Sequence, residues 1–137
     1  MIILDTGPLY ALADRSDAHH QDAVALLTTR PVSEFVMPST VLTEVSWAIE
    51  AKLGADAEAV FLSQAAAGVP PVVELTRLDY LRCAELVRQY ADFPLGFVDA
   101  SIVALAERLG IGTIATVDRR HFSVVRPKSG VPFELVP

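Results

Sequence analysis

The chain has 137 residues, 52% of them hydrophobic, which predicts one compact domain with a sizeable apolar core. Its net charge of -6 and isoelectric point near 4.9 argue against a protein that binds nucleic acid through overall charge attraction alone. A mean hydropathy of +0.40 is high for so small a chain and predicts apolar surface that contacts another protein.

The N-terminus and the cysteine content narrow the class of protein further. The chain begins MIILD, which has no basic residue and carries an acid too early for a secretory signal. No stretch resembles a membrane span, and the single cysteine, Cys83, has no partner for a disulfide or a Cys-rich metal site. We therefore expect a cytoplasmic protein that makes no membrane contact.

Short apolar runs alternate with helical patterns in the first half of the chain. Residues 2–4 predict a buried strand, followed by a helix that Thr6 or Gly7 caps and that holds Pro8 in its first turn. The pattern then predicts a helix at 18–29, a strand at 35–37, a helix at 39–53 capped by Ser39 and ended by Gly54, and a helix at 56–67.

The second half of the chain continues the same alternation. The predicted elements are a strand at 72–75, a helix from the cap Thr76 to about Tyr90, a helix at 97–109, a strand at 113–116, a short turn or helix at 118–122 and an edge strand at 133–136. Strands that alternate with helices form a mostly parallel sheet covered on both faces. The predicted fold is thus a three-layer α/β/α sandwich, in which ligands bind beyond the carboxyl ends of the strands.

Four acidic residues fall where this topology can gather them. Asp5 directly follows the first strand, and Asp118 lies two residues past the fourth. Glu44 sits in the opening turns of the helix after the second strand, and Asp99 lies in a helix start among apolar residues, where an unpaired charge is costly. All four can reach the same edge of the sheet.

Three of the four acids also have a simpler interpretation. Asp99 can cap its own helix, Asp118 can cap the turn that follows it, and Glu44 can be a solvated surface residue. As a group, however, carboxylates about 4 Å apart repel by about 4 kcal/mol at an effective dielectric of about 20. A divalent cation removes this repulsion, and a set of oxygen ligands without cysteine favours Mg²⁺ or Mn²⁺ over zinc.

The basic residues and histidines leave two interpretations open. Four cations form a local basic patch in the C-terminal stretch, and they could equally belong to a solvated loop: Arg119, Arg120, Arg126 and Lys128. The histidines, His19, His20 and His121, lack the spacing of a metal site, and we expect them to be packed or solvated.

In order and spacing, these segments resemble a PIN domain, in particular the VapC-type toxin ribonucleases of bacterial toxin-antitoxin pairs. The segments that carry the resemblance are the strand ending in Asp5-Thr6, Pro38-Ser39 leading to Glu44, Val98-Asp99-Ala100-Ser101-Ile102, and Thr116-Val117-Asp118 followed by Arg119-Arg120-His121-Phe122. The resemblance covers essentially the whole chain, residues 1–137, as a single PIN domain.

The resemblance implies a metal-dependent endoribonuclease. Asp5 and Asp99 would be the main ligands of Mg²⁺ or Mn²⁺, Glu44 and Asp118 would complete the shell, and Thr6 and Thr116 would orient the carboxylates as hydroxyl donors. A metal-bound water would attack phosphorus in line and leave a 5′-phosphate and a 3′-hydroxyl. The four basic residues could hold the flanking RNA backbone.

The resemblance also implies partners: a tRNA or rRNA substrate, a VapB-type antitoxin and a second copy of the chain. Trp47 and Ile49, or the helix at 56–67, are candidates for the protein contacts, although core packing competes for each of them.

Three rival interpretations remain. Asp5-Thr6-Gly7 is also the triplet of aspartic proteases, but those are all-β proteins, and Pro8 interrupts the strand that would follow. A haloacid-dehalogenase-type phosphatase needs a second aspartate where Gly7 stands. The third is a PIN-like module that has lost activity and only binds RNA or protein.

Overall fold

A computed structural model describes all 137 residues, and its sheet is entirely parallel. The strands lie in the order β3-β2-β1-β4-β5, with bounds β1 Ile2–Leu4, β2 Phe35–Pro38, β3 Val72–Val73, β4 Thr113–Ala115 and β5 Glu134–Val136. The central strand β1 pairs with β2 on one side and with β4 on the other, so that Ile3 lies between Val36 and Ile114. The predicted α/β fold with a parallel sheet is confirmed.

Seven helices connect and cover the strands: α1 Thr6–Ala13, α2 His20–Thr28, α3 Ser39–Leu53, α4 Ala55–Ala66, α5 Arg77–Gln89, α6 Phe97–Leu109 and α7 Arg120–Val124, with a short 3₁₀ turn at Val32–Glu34. The chain steps outward from β1 to β3 and then returns past β1 to β4 and β5. Because parallel crossovers are right-handed, this reversal puts α1 to α4 on one face and α5 to α7 on the other. The three layers predicted from the sequence are present.

Two of the predicted helix caps are wrong. The cap of α1 is Asp5, whose Oδ1 accepts the Thr6 N–H at 2.7 Å, and neither Thr6 nor Gly7 takes that place. Ser39 already lies inside α3 and makes no capping hydrogen bond, because extended Pro38 takes the cap position. The cap of α5 is confirmed, since Thr76 forms a reciprocal capping box with Asp79.

The apolar core fills both faces of the sheet, and α6 contributes its longest buried run. Seven consecutive residues of this helix, Ala100 to Ala106, are buried, so the middle of α6 runs through the interior just behind its first turn. Cys83 is also buried, and this burial raises the pKa of its thiol to about 11, which keeps it protonated and unreactive. Ile49 is fully buried and belongs to the core, so of its two interpretations core packing is confirmed and a contact surface is ruled out.

No helix is both long and apolar enough to cross a membrane.

Candidate active site

The candidate site lies where the direction of the chain reverses in the sheet. From β1 the chain crosses over to β2, whereas β4 on the other side of β1 continues outward to β5. Such a reversal opens a crevice beyond the carboxyl ends of the two central strands. The Asp5 N–H donates to Ala115 O at 2.9 Å, so Asp5 and Thr116 lie next to each other at the floor of this crevice.

Asp5 is the most firmly held of the four acids. Its Oδ1 accepts the Thr6 N–H at 2.7 Å, and its Oδ2 accepts the hydroxyl of buried Thr116 at 2.8 Å. The Thr116 Oγ1 also accepts the Asp118 N–H at 3.2 Å, which ties the loop after β4 to the end of β1. Burial raises the pKa of Asp5, while these hydrogen bonds act in the opposite direction.

Glu44 approaches Asp5 from the second turn of α3. Partial burial of its carboxyl group raises the pKa of Glu44, and the negative charge of Asp5 adds to the effect. The Thr6 hydroxyl lies close enough to lower this pKa, yet its buried oxygen reaches no hydrogen-bond partner. A buried hydroxyl without a hydrogen-bond partner thus lies beside the Glu44 carboxylate.

Asp99 is the third residue of α6, behind the N-cap Gly96, and it makes no capping hydrogen bond. Its simpler interpretation as a helix cap is therefore wrong. Burial raises the pKa of Asp99 to about 6, and the negative charges of Asp5, Glu44 and Asp118 add to this rise. The carboxylates from four separate elements are thus near enough to act on one another.

Asp118 is exposed at the rim of the crevice. Its Oδ1 accepts the Arg120 N–H at 3.1 Å, as a residue that stabilises the turn would, and its Oδ2 accepts the Arg120 Nη2 at 3.0 Å. The bonds from Arg120 hold the pKa of Asp118 below its usual range. Asp118 therefore has the turn contact foreseen for it and also adds negative charge at the site.

The four basic residues do not form one patch around the acids. Arg119 donates to the carbonyl oxygens of Leu135 and Pro137, and Arg126 donates to the last carbonyls of α7. The Lys128 N–H donates to Glu107 near the far end of α6. Glu107 comes eight residues after Asp99, which is about 12 Å along the helix axis. Among these four basic side chains, Arg120 is the one paired with a site carboxylate.

Comparison with known proteins identifies the family. The PIN domain family matches residues 2–127. The chain belongs to the PIN domain family. It is 32% identical over 136 residues to Ribonuclease VapC26 of Mycobacterium tuberculosis (strain ATCC 25618 / H37Rv), covering 99% of this chain and 100% of that protein.

Solved structures agree with this assignment at the level of the fold. The crystal structure of Mycobacterium tuberculosis VapC20, described as a sarcin-ricin loop cleaving toxin, superposes with a TM-score of 0.81 at 22% identity, over 88% of this chain and 92% of that one. A toxin-antitoxin complex from Klebsiella pneumoniae gives a TM-score of 0.67 at 20% identity, over 98% and 99% of the two chains. The resemblance to PIN domains of the VapC type is confirmed.

The chemistry of this PIN domain's acidic residues suits a hard divalent cation. No three Asp, Glu, His or Cys side chains stand close enough to form a ready-made metal cage. The negative charge of Asp5 adds to the raised pKa of Glu44 and of Asp99, and a cation between these carboxylates would offset their repulsion. The oxygen-only donors and the unpaired Thr6 hydroxyl fit Mg²⁺ or Mn²⁺.

The sequence interpretation missed one residue of this site. His121 was expected to be packed or solvated, but its Nδ1 lies 3.3 Å from Asp99 Oδ2. The sequence feature that could have pointed to His121 is its position three residues after Asp118, in the helical turn that starts at the rim of the crevice.

Proposed function

We propose that residues 1–137 form a single PIN domain that acts as a metal-dependent endoribonuclease, the toxin of a VapC-type toxin-antitoxin pair. The observation that carries the proposal is the shared negative potential of Asp5, Glu44 and Asp99, each with a raised pKa, in the crevice beyond β1 and β4. The 32% identity to a ribonuclease over nearly the whole chain supports the choice of RNA as substrate.

The proposed ligands of the cation are Asp5 and Asp99, with Glu44 and Asp118 contributing directly or through water. A bound Mg²⁺ or Mn²⁺ ion would neutralise the carboxylates, polarise a phosphate oxygen and lower the pKa of a coordinated water. Short hydrogen bonds from the Thr116 hydroxyl and the Thr6 N–H fix both oxygens of Asp5, so this carboxylate is already oriented for a cation.

Arg120 is the best placed of the proposed RNA-binding residues. Its side chain is 78% exposed and pairs with Asp118 at the rim, so it can turn to a phosphate at the cost of one exposed ion pair. Arg119, Arg126 and Lys128 would contact RNA backbone farther from the cleaved bond. Local cations and the metal together would offset the net charge of -6.

We propose structured tRNA or rRNA as the class of substrate. The similar fold of a sarcin-ricin loop cleaving toxin makes rRNA loops a reasonable first substrate, and unpaired loop bases are the usual target of sequence-specific RNA recognition. Both classes of RNA lie in the cytoplasm, where we propose that the protein acts.

Two apolar surfaces support the proposed protein partners. A cavity of about 390 Å³ opens between α1, α2 and α4, and most of its lining is hydrophobic, including Leu12, Val60 and Phe61. We assign it to the antitoxin, in line with the candidate helix at 56–67. Trp47 is 70% exposed on α3 and is our candidate for the homodimer contact.

The proposal is tested by incubating purified protein with tRNA and rRNA fragments in Mn²⁺ or in EDTA and mapping the ends. We expect cleavage in Mn²⁺ but not in EDTA, with a 5′-phosphate on the product. The cleavage rate should fall by about a hundredfold or more in Asp5→Asn. Asp22→Asn, which removes an exposed acid on α2, is the matched control and should cleave normally. Cleavage that persists in EDTA would contradict the metal mechanism. Binding without cleavage of any RNA would favour the alternative, a PIN-like module that has lost activity and only binds RNA or protein.

A further inference from the structure

A single polar side chain contacts the Asp99 carboxylate. The two oxygens of Asp5 are held by Thr6 and Thr116, whereas Asp99 accepts no hydrogen bond in the structure. The polar group that reaches it is the imidazole of His121, with Nδ1 at 3.3 Å from Oδ2. Both side chains are largely buried, with 23% and 22% of their surfaces exposed, so water screens this contact only weakly.

The ring of His121 is itself held in place by the fold. The next residue, Phe122, is 1% exposed and anchors α7 in the core. The Phe93 ring meets the imidazole edge-on, with centroids 5.1 Å apart and an interplanar angle of 64°. The backbone is fixed as well, since His121 O accepts the Val125 N–H at 2.9 Å. A histidine held this firmly can impose a direction on the carboxylate beside it.

We propose that His121 is a positioning residue that donates its Nδ1–H to Asp99 Oδ2 and leaves Oδ1 directed toward the cation. This inference rests on the proposed function, because it assumes that Asp99 is a metal ligand. Carboxylates that bind metals are commonly oriented by a hydrogen bond to the oxygen that does not bind, and loss of such a partner typically weakens affinity by about 10- to 100-fold. The 3.3 Å separation is long for a hydrogen bond, as is common for catalytic contacts before substrate binds.

Two substitutions separate the donor from the shape of the ring. His121→Asn places an amide N–H near the Nδ1 position and keeps the donor. His121→Phe keeps an aromatic ring against Phe93 and removes the donor. The control is His19→Phe, since His19 is exposed at the start of α2, away from the acids. If the Phe variant does not fold, His121→Gln replaces it, because its amide reaches the Nε2 position instead.

The readout is the Mn²⁺ dissociation constant of the whole chain, measured by titration calorimetry, with urea unfolding as a check on folding. We expect His121→Phe to weaken Mn²⁺ binding by about tenfold or more and His121→Asn to stay within about threefold of the unsubstituted chain. His19→Phe should leave the dissociation constant unchanged. Unchanged affinity in a folded His121→Phe would overturn the positioning role and leave the metal mechanism standing.

Two further results distinguish this inference from the function on which it rests. If the unsubstituted chain binds no Mn²⁺, or if Asp99→Asn binds it equally well, the proposed metal site fails and the inference fails with it. Electron spin echo spectra of the Mn²⁺-loaded chain should show no directly coordinated nitrogen. A coordinated imidazole nitrogen would make His121 a ligand and overturn the positioning role.

Discussion

Gly7 lies in the first turn of α1, at a point where the loop after β4 comes unusually close. A Cβ built on Gly7 would lie 2.3 Å from Val117 Cγ2, more than 1 Å inside ordinary contact distance. Val117 is β-branched and resists rotation, so Gly7→Ala forces either this side chain or its backbone to move. Overpacking of this kind costs about 1–3 kcal/mol, and the better helix propensity of alanine returns at most about 1 kcal/mol.

We therefore expect Gly7→Ala to lower the free energy of unfolding by about 1–2 kcal/mol, measured by urea denaturation. It should also reduce RNA cleavage, because Val117 lies between Thr116 and Asp118. In a Val117→Ala background the obstructing methyl is absent, and Gly7→Ala should be neutral or stabilising there. Gly112→Ala, whose Cβ would meet nothing within 4 Å, is the control. Equal destabilisation by Gly7→Ala in both backgrounds would refute the steric argument.

Three other predictions test the contacts around the acids and between the helices. Thr116→Val, which removes the hydroxyl bonded to Asp5, should destabilise the fold by about 1.5–3 kcal/mol in urea titrations and weaken Mn²⁺ binding measured by calorimetry. Asp99 has a pKa of about 6 against an ordinary 3.8, so the folded chain binds its proton more tightly than the unfolded chain does. In EDTA, unfolding midpoints should therefore fall as pH rises from about 4 to 6, and Asp99→Asn should flatten that dependence. An unchanged slope in Asp99→Asn would contradict the raised pKa of Asp99. Glu107→Ala breaks its 2.7 Å ion pair with Arg82, where both side chains are about 15% exposed or less, and should cost about 2 kcal/mol in urea unfolding without changing Mn²⁺ affinity.

The sequence predicted the layout of the fold because strand and helix patterns are local. The apolar run at 2–4 and the capping box that starts at Thr76 appear where expected, and the alternation of elements was enough to predict a parallel sheet. The order of the strands was not predicted. It depends on which apolar faces pack together across the chain, and no local pattern records that.

The acidic residues could be found because strand ends mark positions in space. In a parallel sheet all carboxyl ends meet at one edge, so Asp5 and Asp118 were placed together by their distance from a strand alone. Distances between side chains were beyond this reasoning. The approach of His121 to Asp99 depends on how α7 packs against α6. Lys128 lies beside Glu107, 21 residues earlier in the chain, and Arg126 binds the carbonyls just before it, contacts that the spacing of charges does not reveal.

The initial Asp5-Thr6-Gly7 triplet has a structural role and, in our proposal, a catalytic one. Asp5 caps α1 through the Thr6 N–H and also directs its carboxylate to the crevice, while Gly7 lets Val117 pass close to the helix. A helix start and a metal ligand are therefore compatible uses of the same carboxylate, because each of its oxygens can accept one hydrogen bond and still has a lone pair for a cation.

The central claim, that four distant carboxylates share a cation, is tested most directly by anomalous diffraction from crystals soaked in Mn²⁺. Our account predicts a manganese peak between the Asp5 and Asp99 carboxylates, at about 2.0–2.2 Å from an oxygen of each, with Glu44 and Asp118 bound directly or through water. The peak should be absent from Asp5→Asn crystals. A manganese ion bound elsewhere, or no peak at a concentration that supports cleavage, would contradict the account.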